Sequence, residues 1–129
     1  MNCLDTNIII DLWRNDSFVR EKLSTLSSEE LCITSITLCE LYQGAYLSTD
    51  SQYDLQLIAS LLQSTTFVEF NPEACNLYGQ DYAFLQGIGK ITQESDLMIS
   101  SIAKAHSATV VTRNKKHFAN IRGLKVEEW

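Results

Sequence analysis

Short β-like runs alternate with helical stretches along this whole chain, and that alternation leaves few folds open. The β-like runs are NCLD (2–5), LCIT (31–34), TFVEF (66–70), ATVVT (108–112) and LKVEEW (124–129). Helical periodicity marks residues 7–13, 17–26, 35–48, 52–64, 73–87 and 95–106 between them. A helix between two strands returns the chain to the edge it left, so such strands run parallel and both sheet faces need covering. The expectation is an α/β fold, a three-layer α/β/α sandwich around a central parallel sheet. With 129 residues, no repeat and no Pro/Gly linker, residues 1–129 read as one domain with a single core. Pro72 reads as a helix-start residue, and Ser35 and Ser95 as helix caps.

Composition excludes several classes. No segment approaches the ~20 consecutive apolar residues of a membrane span. The start, MNCLDTNIIIDLW, has no basic lead-in and is interrupted by acids, so it does not read as a secretory signal. A cytoplasmic protein is expected. Cys3, Cys32, Cys39 and Cys75 lack CxxC spacing and neighbouring histidines, which argues against zinc. Each lies in an apolar stretch and is expected as a buried, reduced thiol. The net charge of −6 argues at first against a nucleic-acid partner. Yet no acid falls between Asp96 and Glu127, a stretch that carries Lys104, Arg113, Lys115, Lys116, Arg122 and Lys125. Charge alone does not separate a local RNA contact from a solvated basic face.

Three carboxylates are the candidates for chemistry. Asp5 closes the first strand, Glu40 sits within the helix SITLCELYQGA, and Asp96 opens the helix SDLMISSIAKAH. Ligands of an open parallel sheet bind outside the carboxyl ends of its strands. Asp5 is at that edge, and the helix after the second strand leaves from it with Glu40 in its second turn. The helix 95–106 feeds the strand 108–112, so Asp96 begins at the same edge. After ATVVT the chain emerges there again with Thr112, Arg113, Asn114 and His117. Acids brought together repel one another and persist when a divalent cation holds them. A Mg2+ or Mn2+ site on Asp5, Glu40 and Asp96 is therefore the leading reading, and phosphodiester chemistry comes with it. Asp96 alone would pass as a first-turn residue suited to the helix dipole. Glu40 is harder to explain that way, because Leu38, Cys39, Leu41, Tyr42, Ala45 and Tyr46 leave its helix almost no polar face.

Other polar residues read more plainly. Asp11 and Asp16 follow the first strand as solvated or capping residues, and His106 closes an apolar helix as a C-terminal cap partner. Thr6 and Asn7 could cap the first helix or support the acid before them, and spacing does not decide between the two. Arg113, Lys115 and Lys116 are expected to contact RNA phosphates, which positions a strand without reading its sequence.

Together LDTNIIIDL, ITLCELYQGA, SDLMISSIAKAH and VVTRNKKHFANIRGLKVEEW resemble PIN-domain ribonucleases, and among them the VapC-type toxins of toxin–antitoxin pairs. The resemblance covers essentially the whole chain. It implies an acidic quartet on Asp5, Glu40 and Asp96, with a fourth place in TRNKKHF. There the chain departs: many members carry an aspartate where this one offers Asn114 and His117. The resemblance further implies Thr112 as a hydroxyl near the site, Asn7 as a support, a homodimer and a cognate antitoxin.

The resulting expectation is a metal-dependent endoribonuclease acting on single-stranded or looped RNA, whose bases can be splayed into a cleft. Transfer RNA is among the candidates. Two rivals differ in class. An aspartate-based phosphoryl-transfer domain would need a second acid two residues after Asp5, or a lysine ending a strand nearby, and the chain has Asn7 and no such lysine. A non-catalytic PIN-like binding module would show little site-specific metal uptake.

Overall fold

The computed structural model describes residues 1–129, and its five strands make one all-parallel sheet in the order β3-β2-β1-β4-β5. The strands are β1 (Asn2–Leu4), β2 (Leu31–Thr34), β3 (Thr66–Val68), β4 (Thr109–Thr112) and β5 (Lys125–Glu128). Six helices connect them: α1 (Thr6–Trp13), α2 (Ser17–Ser24), α3 (Ser35–Leu47), α4 (Ser51–Ser64), α5 (Pro72–Gly87) and α6 (Glu94–Ala105). Single 3-10 turns stand at Ser28–Glu30 and Lys115–Phe118.

Register explains the layers. Cys3 lies beside Cys32 and Val110, and Leu4 beside Val111. Successive side chains of a strand point to opposite faces, so these two rows look into different layers. Cys3, Cys32 and Val110 pack with Ala74 and Leu85 of α5, with Leu97, Ile99 and Ile102 of α6, and with Phe118. Leu4, Ile33 and Val111 pack with Ile8 and Ile9 of α1, Val19 of α2, Leu41 and Ala45 of α3, and Ile58 and Leu61 of α4. The three-layer sandwich is as expected, but the sheet divides the single anticipated core into two.

The strand order also places the site. From β1 the chain steps outward to β2 and β3, then α5 and α6 carry it across to β4 on the other flank of β1. The winding reverses between β1 and β4, and a crevice opens beyond the carboxyl ends of strands at such a switch point. Asp5 and Thr112 stand at the two strand ends that flank it.

Several local expectations are corrected. Strand β3 stops at Val68, not residue 70, because Asn71 turns the chain and accepts a hydrogen bond from the Ala74 amide as the cap of α5. Pro72 opens that helix as expected. Thr34 rather than Ser35 caps α3, its hydroxyl accepting from the Thr37 amide at 3.0 Å. Helix α6 starts at Glu94, so Ser95 lies inside it and caps nothing. Cys3 and Cys32 are buried, but Cys39 and Cys75 are exposed. Helix α3 buries Thr37, Leu41 and Ala45. At roughly 100° of rotation per residue, Cys39 lands on the opposite side of that helix.

A buried ion pair joins α5 to α6. Lys104 Nζ donates to Asp81 Oδ2 at 2.7 Å, and the two side chains are 15% and 5% exposed. Sequence patterning offered no sign of it, because each residue looks like an ordinary helix-surface charge. Removing one partner of such a pair leaves a charge in a poor solvent, at a cost of about 3 kcal/mol or more. Lys104→Met is therefore expected to lower stability by about 3 kcal/mol in urea melts, and Lys104→Met with Asp81→Leu to recover most of it. A double variant as unstable as the single one would show that the lysine matters for packing and not for pairing.

Candidate functional site

The first catalytic candidate is fixed by a chain of donors whose directions are forced. Asp5 is buried at 8% exposure and caps α1, its Oδ1 accepting from the Thr6 amide at 2.8 Å. Its Oδ2 accepts from the Thr112 hydroxyl at 2.8 Å. That hydroxyl in turn accepts from the Asn114 amide at 3.0 Å and from Asn7 Nδ2 at 3.3 Å. A threonine hydroxyl has one proton and two lone pairs. Both lone pairs face groups that only donate, so the single proton points at Asp5. Asn7 is oriented in the same way, because its Oδ1 accepts from the Arg113 amide at 3.1 Å. The structure thus decides what spacing left open: Asp5 caps the helix, and Asn7 reaches across to the end of β4.

Glu40 and Asp96 complete the group. Both are half-buried, and both are pushed upward from the ordinary value of their type. Burial is the larger cause for each. Asp5 adds to both shifts, Asp96 adds to that of Glu40, and His117 partly offsets that of Asp96. The three acids are therefore close enough to feel one another's charge, as the convergence of their elements requires. The Thr6 hydroxyl is buried without a hydrogen bond of good geometry, and it stands close enough to Glu40 to favour the charged form.

The fourth place is occupied by a linked pair. His117 Nδ1 lies 3.4 Å from Asp96 Oδ2, and Asn114 Nδ2 lies 2.8 Å from His117 Nε2. His117 is half exposed and sits over Asp96, so the segment after β4 does reach the acids. No three histidine, cysteine, aspartate or glutamate side chains stand close enough together to hold a metal ion as they are placed. The donors on offer are carboxylate oxygens that resist their own charge, a set that suits a hard divalent cation and not zinc. Asp5, Glu40 and Asp96 are the residues that would hold one if drawn together around it.

The basic residues divide. Lys115 and Lys116 are exposed, but Arg113 is turned inward onto Asp11 and Asp16 at 2.7 and 3.0 Å. Asp16 also caps α2, as anticipated, accepting from the Val19 amide at 3.0 Å. Asp11 caps nothing and is only partly solvated, its carboxylate being paired with Arg113. Sequence reading missed this ion cluster because its members are some hundred positions apart, with no periodicity to tie them. His106 closes α6 as expected, its Nδ1 2.9 Å from the Ile102 carbonyl.

Comparison with known proteins agrees with this geometry. Residues 3–124 match the PIN domain family model. The chain is 32% identical to the tRNA(fMet)-specific endonuclease VapC of Shigella flexneri, over 98% of this chain and 96% of that protein. It is 28% identical to ribonuclease VapC2 of Haemophilus influenzae, with the same coverage of 98% and 96%. Among solved structures, DNA-bound VapBC from Salmonella typhimurium superposes with a TM-score of 0.92 at 30% identity, covering 99% of this chain and 97% of that one. VapBC2 from Rickettsia felis, bound to a promoter DNA fragment, gives 0.90 at 28% identity, covering 99% and 98%. The chain belongs to the PIN-domain family, in its VapC branch.

Proposed function

We propose that this protein is the toxin of a toxin–antitoxin pair, an endoribonuclease that depends on Mg2+ or Mn2+. The observation that carries the reading is the meeting of Asp5, Glu40 and Asp96 at the switch point of the sheet, where the charge of Asp5 helps to push both Glu40 and Asp96 upward. Evolved like-charge contacts of this kind mark sites built for chemistry or for a cation. Asp5, Glu40 and Asp96 would hold the ion. A bound ion supplies an acidified water and neutralises charge developing on the attacked phosphate.

The chain's own residues do the rest. Thr112 and the capping amide of Thr6 fix both oxygens of Asp5, so its carboxylate need not reorganise when substrate arrives. His117 stands beside Asp96 on the open side of the site, with Asn114 holding its far nitrogen. Lys115 and Lys116, exposed just after β4, are placed to meet phosphates of an incoming strand. Single-stranded or looped RNA is the substrate class, and the name of the Shigella relative makes transfer RNA the first to try.

An antitoxin has a groove to enter. Between α1, α3 and α4 a cavity of about 370 Å³ is lined by Ile10, Trp13, Leu41, Tyr53 and Leu57, with Glu40 also on its wall. An apolar helical segment could fill it, with a basic side chain reaching Glu40. The solved VapBC complexes of similar proteins support such a partner.

Cleavage of a transfer RNA mixture tests the site. Asp5→Asn or Asp96→Asn is expected to reduce cleavage at least about 100-fold in Mg2+ or Mn2+, and chelator to abolish it in the wild type. Undiminished cutting by both variants would remove the site from consideration.

Stability gives an independent reading. A carboxyl whose folded pKa lies above its unfolded one takes up protons on folding, so stability declines as pH rises through that interval. Glu40 is such a group. Glu40→Gln removes the penalty, so at pH 7 in chelator the variant should melt about 2–5 °C above wild type. An unchanged or lower melting temperature would mean that Glu40 is not held against its own charge.

A further inference from the structure

Arg113 directly follows β4, where a phosphate contact was expected, yet its guanidinium is fully engaged by groups of the protein itself. Nε donates to Asp11 Oδ2 at 2.7 Å, Nη1 donates to the Trp129 carbonyl at 3.1 Å, and Nη2 lies 3.0 Å from Asp16 Oδ2. Every nitrogen of the fork therefore has a partner. The partners come from α1, from the corner between α1 and α2, and from the end of β5. The Trp129 amide also donates to the Thr112 carbonyl at 3.0 Å, so the same two chain ends are tied twice.

We propose that Arg113 is a positioning residue for the cleavage reaction and not an RNA contact. Its side chain clamps the end of β4 against α1, and its backbone amide thereby orients Asn7, which orients the Thr112 hydroxyl, which orients Asp5. Each link has only one workable direction. A backbone N–H can only donate, so Asn7 must turn its oxygen to Arg113 and its nitrogen to Thr112. Thr112 then has a proton left for Asp5 alone. A displacement of the Arg113 amide well under the reach of one hydrogen bond would loosen all three links. Residue type fits the role, since a planar fork can serve two carboxylates and a carbonyl at once, whereas an ammonium on a flexible stem cannot hold that geometry. Charge fits as well. Asp11 and Asp16 neutralise the guanidinium, so Arg113 adds little to the field that draws RNA, while Lys115 and Lys116 form no ion pair.

This inference rests on the ribonuclease reading, and the test separates the two. Arg113→Lys and the double variant Asp11→Ala/Asp16→Asn are compared with wild type, Asn being chosen because it preserves the cap on α2. Steady-state cleavage of a transfer RNA, its salt dependence and Mn2+ titration of the free protein are measured, with circular dichroism to confirm folding. Both variants are expected to lose about 10–100-fold in kcat, and Mn2+ affinity is expected to fall about tenfold, as for other supports of metal ligands. For the charge-conserving Arg113→Lys, KM and the salt dependence should stay within about twofold of wild type.

A phosphate contact predicts the reverse. Arg113→Lys would then raise KM with kcat unchanged, and that result overturns the proposal. Should the double variant fail to fold, Arg113→Lys alone decides by the same criteria. Should wild type cut no RNA, the ribonuclease reading fails, and the clamp is judged on Mn2+ affinity. Equal affinity in wild type and Arg113→Lys would overturn it.

Discussion

Repulsion among Asp5, Glu40 and Asp96 is the constraint on which the rest of this structure depends. Nothing about hydrophobic burial favours three acids at one sheet edge, and burial itself works against the charge of Glu40 and Asp96. The fold brings them together anyway because its topology does. Strand β1 ends at Asp5, α3 leaves the neighbouring β2, and α6 must begin where β4 will end. The two half-cores on either side of the sheet provide the stability that such an arrangement draws down.

Around the acids, neutral and basic groups work as supports at increasing distance. Thr112 and the Thr6 amide touch Asp5 directly, and Asn7 holds Thr112. Arg113, anchored by Asp11, Asp16 and the Trp129 carbonyl, holds Asn7. On the other flank His117 and Asn114 stand against Asp96. A segment that carries no acid still places a polar pair beside the site. The net charge of −6 does not by itself argue against RNA, because Lys115 and Lys116 are exposed just after β4, the strand whose end flanks the site.

Much of this was legible in the sequence, and the failures have physical reasons. Alternating periodicities revealed the parallel sheet, since period 2 and period 3.6 patterns reflect which faces are buried. The location of the three acids followed from topology alone. Element ends were less accessible: Thr34 and Ser35 are both competent caps, and only backbone geometry selects Thr34. Cys39 illustrates another limit, since an apolar neighbourhood in sequence does not say which side of a helix a residue occupies. The Arg113 cluster and the Asp81–Lys104 pair are contacts between distant residues that any surface charge could mimic. A single sequence carries no signal for them.

The central claim is that the acids of the switch point form one cation site, and calorimetric titration of the metal-free protein with Mn2+ tests it most directly. The account predicts saturable uptake by the wild type, with uptake lost when Asp5 is replaced by Asn. Absence of saturable uptake by a wild-type protein that still cleaves RNA in chelator would contradict it.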